Sequence, residues 1–84
     1  MTENEAAERI AVAITEAGTE WVRIEDIAKT TGMQPAELAE AIKGLMGAEG
    51  FRAEPQPFGH RITDWDREHA PVIGGEARHL VRWE

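Results

Sequence analysis

Residues 24–46, IEDIAKTTGMQPAELAEAIKGLM, constrain the fold more than any other stretch of this chain. The apolar spacing predicts two helices joined by a tight turn. Ile27 and Ala28 belong to the first helix. Leu38, Ala41, Ile42 and Leu45 form one stripe along the second. Ala28 is small where two helices crossing at a steep angle come closest. Gly32, four residues on, supplies the left-handed backbone that such a turn needs. Met33 follows as an apolar plug, and Pro35 suits the first turn of the next helix. A chain that spends this stretch on a helix pair must build the rest of its core around it.

The flanks supply that core. Ala6, Ile10, Ala13, Ile14 and Ala17 recur at helical spacing and predict a first helix from Glu3 to Ala17. Thr2 is its expected N-cap, with Glu5 three residues later, and Gly18 its stop. Val12 lies off the stripe and is expected in solvent. Trp21-Val22-Arg23 reads as a short strand, Glu25–Thr31 as the second helix and Pro35–Met46 as the third. Phe51–Glu54 alternates and reads as a strand, and His60-Arg61-Ile62 is expected to resume it. The stretch between, 55–59, has polyproline and turn chemistry. Thr63 and Asp66 repeat the capping spacing, so 64–69 is expected to form one helical turn. Val72-Ile73 and the Gly74-Gly75 turn precede a final strand, Ala77–Trp83. On it His79, Val81 and Trp83 are expected on one face and Arg78, Leu80 and Arg82 on the other.

The Ala28–Gly32–Leu38 pattern resembles the helix-turn-helix of DNA-binding proteins. The order helix, short strand, helix, helix, strand, strand resembles a winged helix over nearly the whole chain. The resemblance implies an α+β fold: one winged helix-turn-helix domain over 1–84, with three helices and a small antiparallel β-hairpin. The helix-turn-helix would span 24–46, and the hairpin, or wing, 51–83. The departure is the stretch 55–75, far longer than the usual two to five residues of a hairpin loop. It reads as a packed, irregular insertion.

Charge argues in another direction. The net charge is −7 over 84 residues. Residues 1–50 hold ten acids and four bases; residues 51–84 hold six acids and five bases, with all three histidines. Duplex DNA is bound chiefly by neutralising phosphates, to which an acidic chain is poorly suited. A DNA surface must therefore be a local patch, and the C-terminal half is the better place for it.

The family resemblance implies that the third helix reads bases. Its outward positions are Gln34, Ala36, Glu37, Glu40, Lys43 and Gly44. Gln34 has the chemistry to pair with adenine, Lys43 with guanine or phosphate, and Glu37 with cytosine. The alternative is a solvated charged face with Glu40 paired to Lys43. In the hairpin, Arg52, His60, Arg61, Arg78, His79 and Arg82 are candidate phosphate contacts; the alternative there is arginine paired with Glu54, Glu76 and Glu84. The expected DNA-binding set is Gln34, Glu37, Lys43, Arg52, His60, Arg61 and Arg78.

The expected function is DNA binding in transcriptional control, with double-stranded DNA as partner and a homodimer to extend the site. The competing expectation is a protein-interaction module using the acidic helical faces. Asp64, Asp66, Glu68 and His69 match no trusted metal loop; a capped helical turn is expected there, with its acids solvated. The chain has neither Ser nor Cys, so the histidines find no nucleophile partner and no enzyme, metal or cofactor is expected. The lack of cysteine, the acidic start MTENEAAERI and the absence of a long apolar run lead to the expectation of a cytoplasmic protein without a membrane span.

Overall fold

The computed structural model describes residues 2–56 and 61–84. The chain is mixed α+β. Helix α1 spans Glu3–Ala17, strand β1 Val22–Arg23, α2 Ile24–Thr31 and α3 Pro35–Leu45. Strand β2 spans Phe51–Glu54, α4 Asp64–His69, β3 Val72–Ile73, β4 Glu76–Ala77 and β5 Leu80–Trp83.

Local chemistry sets the helix ends. The Thr2 hydroxyl accepts the Glu5 N–H at 3.2 Å at the start of α1, and Gly18 closes it at φ +67°. Gly32 ends α2 at φ +72°, and its N–H reaches the Ala28 carbonyl at 2.9 Å. A residue with a Cβ would be strained in that turn. Pro35 opens α3, where its missing N–H costs nothing.

Two small antiparallel sheets carry the rest. In the first the order is β1-β5-β2, so the last strand lies between the other two. Phe51 faces Trp83, Arg52 faces Arg82, and Val22 faces Val81. The second sheet is the β3–β4 hairpin, turned by Gly74 and Gly75. The core lies between the three long helices and the first sheet. Ile10, Ile27, Ile42 and Val81 are fully buried, joined by Ile24, Leu38, Met33, Leu45 and Phe51. Val12 is 50 % exposed. Among the described residues no helix is long and apolar enough to cross a membrane.

Four expectations need correction. Arg61 and Ile62 do not resume a strand; they lead into the Thr63 cap of α4. The final strand is not continuous. Ala77 pairs back with Val72, and Arg78 and His79 form a crossing between β4 and β5. The two-face alternation also fails, because Leu80 and Val81 are both buried, with Leu80 outside the main core cluster. Lastly, Asp66 is not solvated but buried.

Candidate functional site

The exposed face of α3 holds Gln34, Ala36, Glu37, Glu40, Lys43 and Gly44, all in solvent as their spacing predicts. The charges on it are largely spoken for. Glu37 Oε1 accepts the Gln34 N–H at 3.2 Å, tying it to the start of its own helix. Lys43 Nζ lies 3.7 Å from Glu40 Oε1. A shallow depression beside this face is rimmed by Glu3 of α1 together with Glu37 and Glu40, over a floor of Ala6, Met33 and Ala41. Glu3 therefore joins the α3 carboxylates, an association that sequence spacing does not reveal.

The hairpin arginines are captured by acids. Arg52 and Arg82 are cross-strand neighbours, a like-charge pairing that would destabilise the sheet if left alone. Glu84 sits between them, 3.5 Å from Arg52 Nε and 3.5 Å from Arg82 Nη2. Arg82 also holds Glu20 at 2.6 Å and lies over the Trp21 ring at 5.4 Å. Arg67 pairs with Asp64 at 2.6 Å.

Arg78 is drawn inward. Its Nη1 donates to the Ala53 carbonyl at 2.6 Å and its Nη2 to the Ile73 carbonyl at 3.1 Å, with Glu76 3.6 Å from Nε. It staples β2 to the β3–β4 hairpin, and its fork is committed to backbone rather than offered to a ligand. His79 is also internal: its Nδ1 accepts the Gln56 N–H at 2.8 Å, so that nitrogen carries no proton in this arrangement. Arg61 is exposed beside Thr63, Asp64 and Arg67, and its carbonyl accepts from Gln56 Nε2 at 2.9 Å. His60, the remaining member of the expected set, lies outside the described residues. The seven residues thus divide. Gln34, Glu37 and Lys43 share the α3 face, Arg52 and Arg61 are exposed in the C-terminal half, and Arg78 is internal.

Sequence reading missed a latch between the start of α2 and α4. Arg23 Nη2 donates to Asp66 Oδ2 at 2.9 Å. The same carboxylate accepts the Thr63 N–H at 3.1 Å. The Thr63 hydroxyl donates to Glu25 Oε1 at 2.6 Å while accepting the Asp66 N–H at 3.2 Å. The Thr63 hydrogen bond, then Lys29 at 3.0 Å, hold the Glu25 carboxyl below its ordinary value. The Thr63–Asp66 spacing marked the cap correctly; it carried no sign that the cap would be buried against Arg23. Among the described residues no three His, Asp or Glu side chains cluster to hold a metal ion.

Comparison with protein-family models, with curated proteins and with solved structures gives no match.

Proposed function

We propose that this protein is a winged-helix module that docks a basic protein segment through its acidic helical side. Two features support the winged-helix reading. One is the α2–α3 turn with Ala28, Gly32 and Leu38 in their expected places. The other is the strand order β1-β5-β2, with the hairpin formed by β2 and β5 and the long insertion between them.

The carrying observation is the sign of the charge on α3. A helix seated in a DNA groove brings its exposed side chains close to phosphates. Here that surface bears Glu37 and Glu40 with Glu3 alongside, and its cation Lys43 lies beside Glu40. A carboxylate and a phosphate about 7 Å apart repel by roughly 0.6 kcal/mol in bulk water, before screening. The term is small per pair, but its sign opposes the neutralisation from which non-specific DNA affinity comes. The same face is complementary to lysine and arginine on a protein.

DNA binding is the second reading, favoured by the helix-turn-helix arrangement itself. It would rest on Gln34 and Lys43 for bases and on Arg52 and Arg61 for phosphates. One pair of titrations separates the two. Fluorescence anisotropy is measured against a random 20-base-pair duplex and against an arginine- and lysine-rich 20-residue peptide, each at low and physiological salt. The expected result is peptide binding that weakens when Glu37→Gln and Glu40→Gln are combined, with no duplex binding at high micromolar protein. Duplex binding with a steep salt dependence, tightened by the same double substitution, would overturn the docking reading in favour of DNA.

A further inference from the structure

Helices α1 and α2 leave a groove between them of about 510 Å³. Glu5, Glu8, Val12 and Glu16 form one wall at spacings of three, four and four, a single stripe along α1. Thr30 and Thr31 of α2 form the other, and Ala13 lies on the floor. A smaller recess of about 240 Å³ shares Ala13, Glu16 and Thr30 with it and continues the groove to Val22 and Asp26. The lining is apolar along the middle and acidic along the rim. Val12, half in solvent, is the large apolar side chain in that middle. Glu5, Glu8, Glu16 and Asp26 take part in no ion pair among the described residues. Arg9 is the one base in the lining.

We infer that this groove is the seat of a basic amphipathic helix about three turns long, with an apolar side chain resting on Val12 and Ala13. The inference rests on the reading of the protein as an acidic docking module, and it fixes the surface. Three features of the groove select that occupant. Both walls are helices whose main-chain groups are already paired, so an added strand would find no ladder to join. From Glu5 to Glu16 the wall runs about 16 Å, the length of three helical turns. The unpaired carboxylates require lysine or arginine along the flanks of the occupant, while the exposed Val12 requires an apolar stripe between them.

The test uses the full chain and a fluorescein-labelled peptide of about four turns, with leucines at i and i+4 flanked by lysines. A peptide with glutamates in place of the lysines is the control. Val12 is exposed, so Val12→Lys leaves the core intact; circular dichroism and tryptophan fluorescence verify this. Binding of the lysine peptide in the micromolar range is expected, lost at least tenfold with Val12→Lys. The Glu37→Gln, Glu40→Gln pair should weaken it as well, but severalfold less than Val12→Lys does. In ¹H–¹⁵N spectra the perturbed amides should centre on Val12, Ala13 and Thr30. Binding that survives Val12→Lys, with perturbations centred on α3, would overturn the groove assignment and leave the docking reading standing. Absence of binding to the lysine peptide, or equal binding of the glutamate peptide, would overturn both.

Discussion

The Arg23–Asp66 pair makes an asymmetric prediction. Both residues contribute to one 2.9 Å contact, yet their burial differs sharply: the Asp66 side chain is 1 % exposed and that of Arg23 30 %. Replacing Arg23 with Ala strands a carboxylate inside the protein. Its Oδ1 already has no hydrogen-bond partner, and Oδ2 would keep only the Thr63 N–H. Losing one member of a buried pair costs about 3–5 kcal/mol; the surviving Thr63 bond places this case at about 3–4 kcal/mol. Arg23 is the N-cap of α2 but makes no side-chain capping bond, so its removal adds nothing there.

Replacing Asp66 with Ala strands a guanidinium that reaches water. The loss is then a charge-assisted hydrogen bond and the Thr63 cap contact, about 1.5–3 kcal/mol. The stability expected of an 84-residue domain is only about 4–12 kcal/mol, so a difference of ~1 kcal/mol is readily resolved. The assay is urea unfolding followed by tryptophan fluorescence at pH 7. Arg23→Ala should be the more destabilised single variant. Adding Asp66→Ala to it should restore about 1 kcal/mol, because the second change removes the stranded charge. If Asp66→Ala costs as much as Arg23→Ala, or if the double variant is the least stable of the three, the burial argument is refuted.

Two further outcomes are expected. Glu25 is held below its ordinary carboxyl value, chiefly by the Thr63 hydroxyl, so its contribution is complete above pH 4.5 and is lost as pH falls through the lowered value. Thr63→Val should lower stability at pH 7 and flatten the acid limb of a stability–pH curve; an unchanged limb would show that Glu25 does not hold the latch. The glycines should split by surroundings. Gly32→Ala, at φ +72° with open space around the new Cβ, should cost about 1–2 kcal/mol. Gly50→Ala, at φ +83° with the Glu84 carbonyl oxygen 2.7 Å from the new Cβ, should cost clearly more in the same urea assay.

What was legible in the sequence was what is decided locally. Thr2, Gly18 and Gly32 act within four residues of themselves, and the stripe Leu38, Ile42, Leu45 repeats within one helix. The second half depends on contacts far apart in sequence. Arg78 and His79 look like strand residues, but the Gly74-Gly75 turn folds Ala77 back on Val72, and the chain crosses to β5 through them. Alternation predicts one wet face only where one face is wet; with Leu80 and Val81 both buried, period two loses its meaning. Charge is the sharpest case. Counting arginines in 51–84 suggests a basic wing, because sequence adjacency shows few of their acids. Arg82 meets Glu20 from 62 residues away, and Arg52 shares Glu84 with it. Each such pair offsets a cation at the surface, while Glu5, Glu8 and Glu16 of α1 and Glu37 of α3 take part in no ion pair among the described residues. The chemistry of a surface arginine is therefore decided by whichever acid the fold brings nearest. Glu20→Gln with Glu84→Gln would free Arg52 and Arg82 together. If the docking reading holds, that pair of changes should create weak, salt-sensitive affinity for duplex DNA where the parent chain has none.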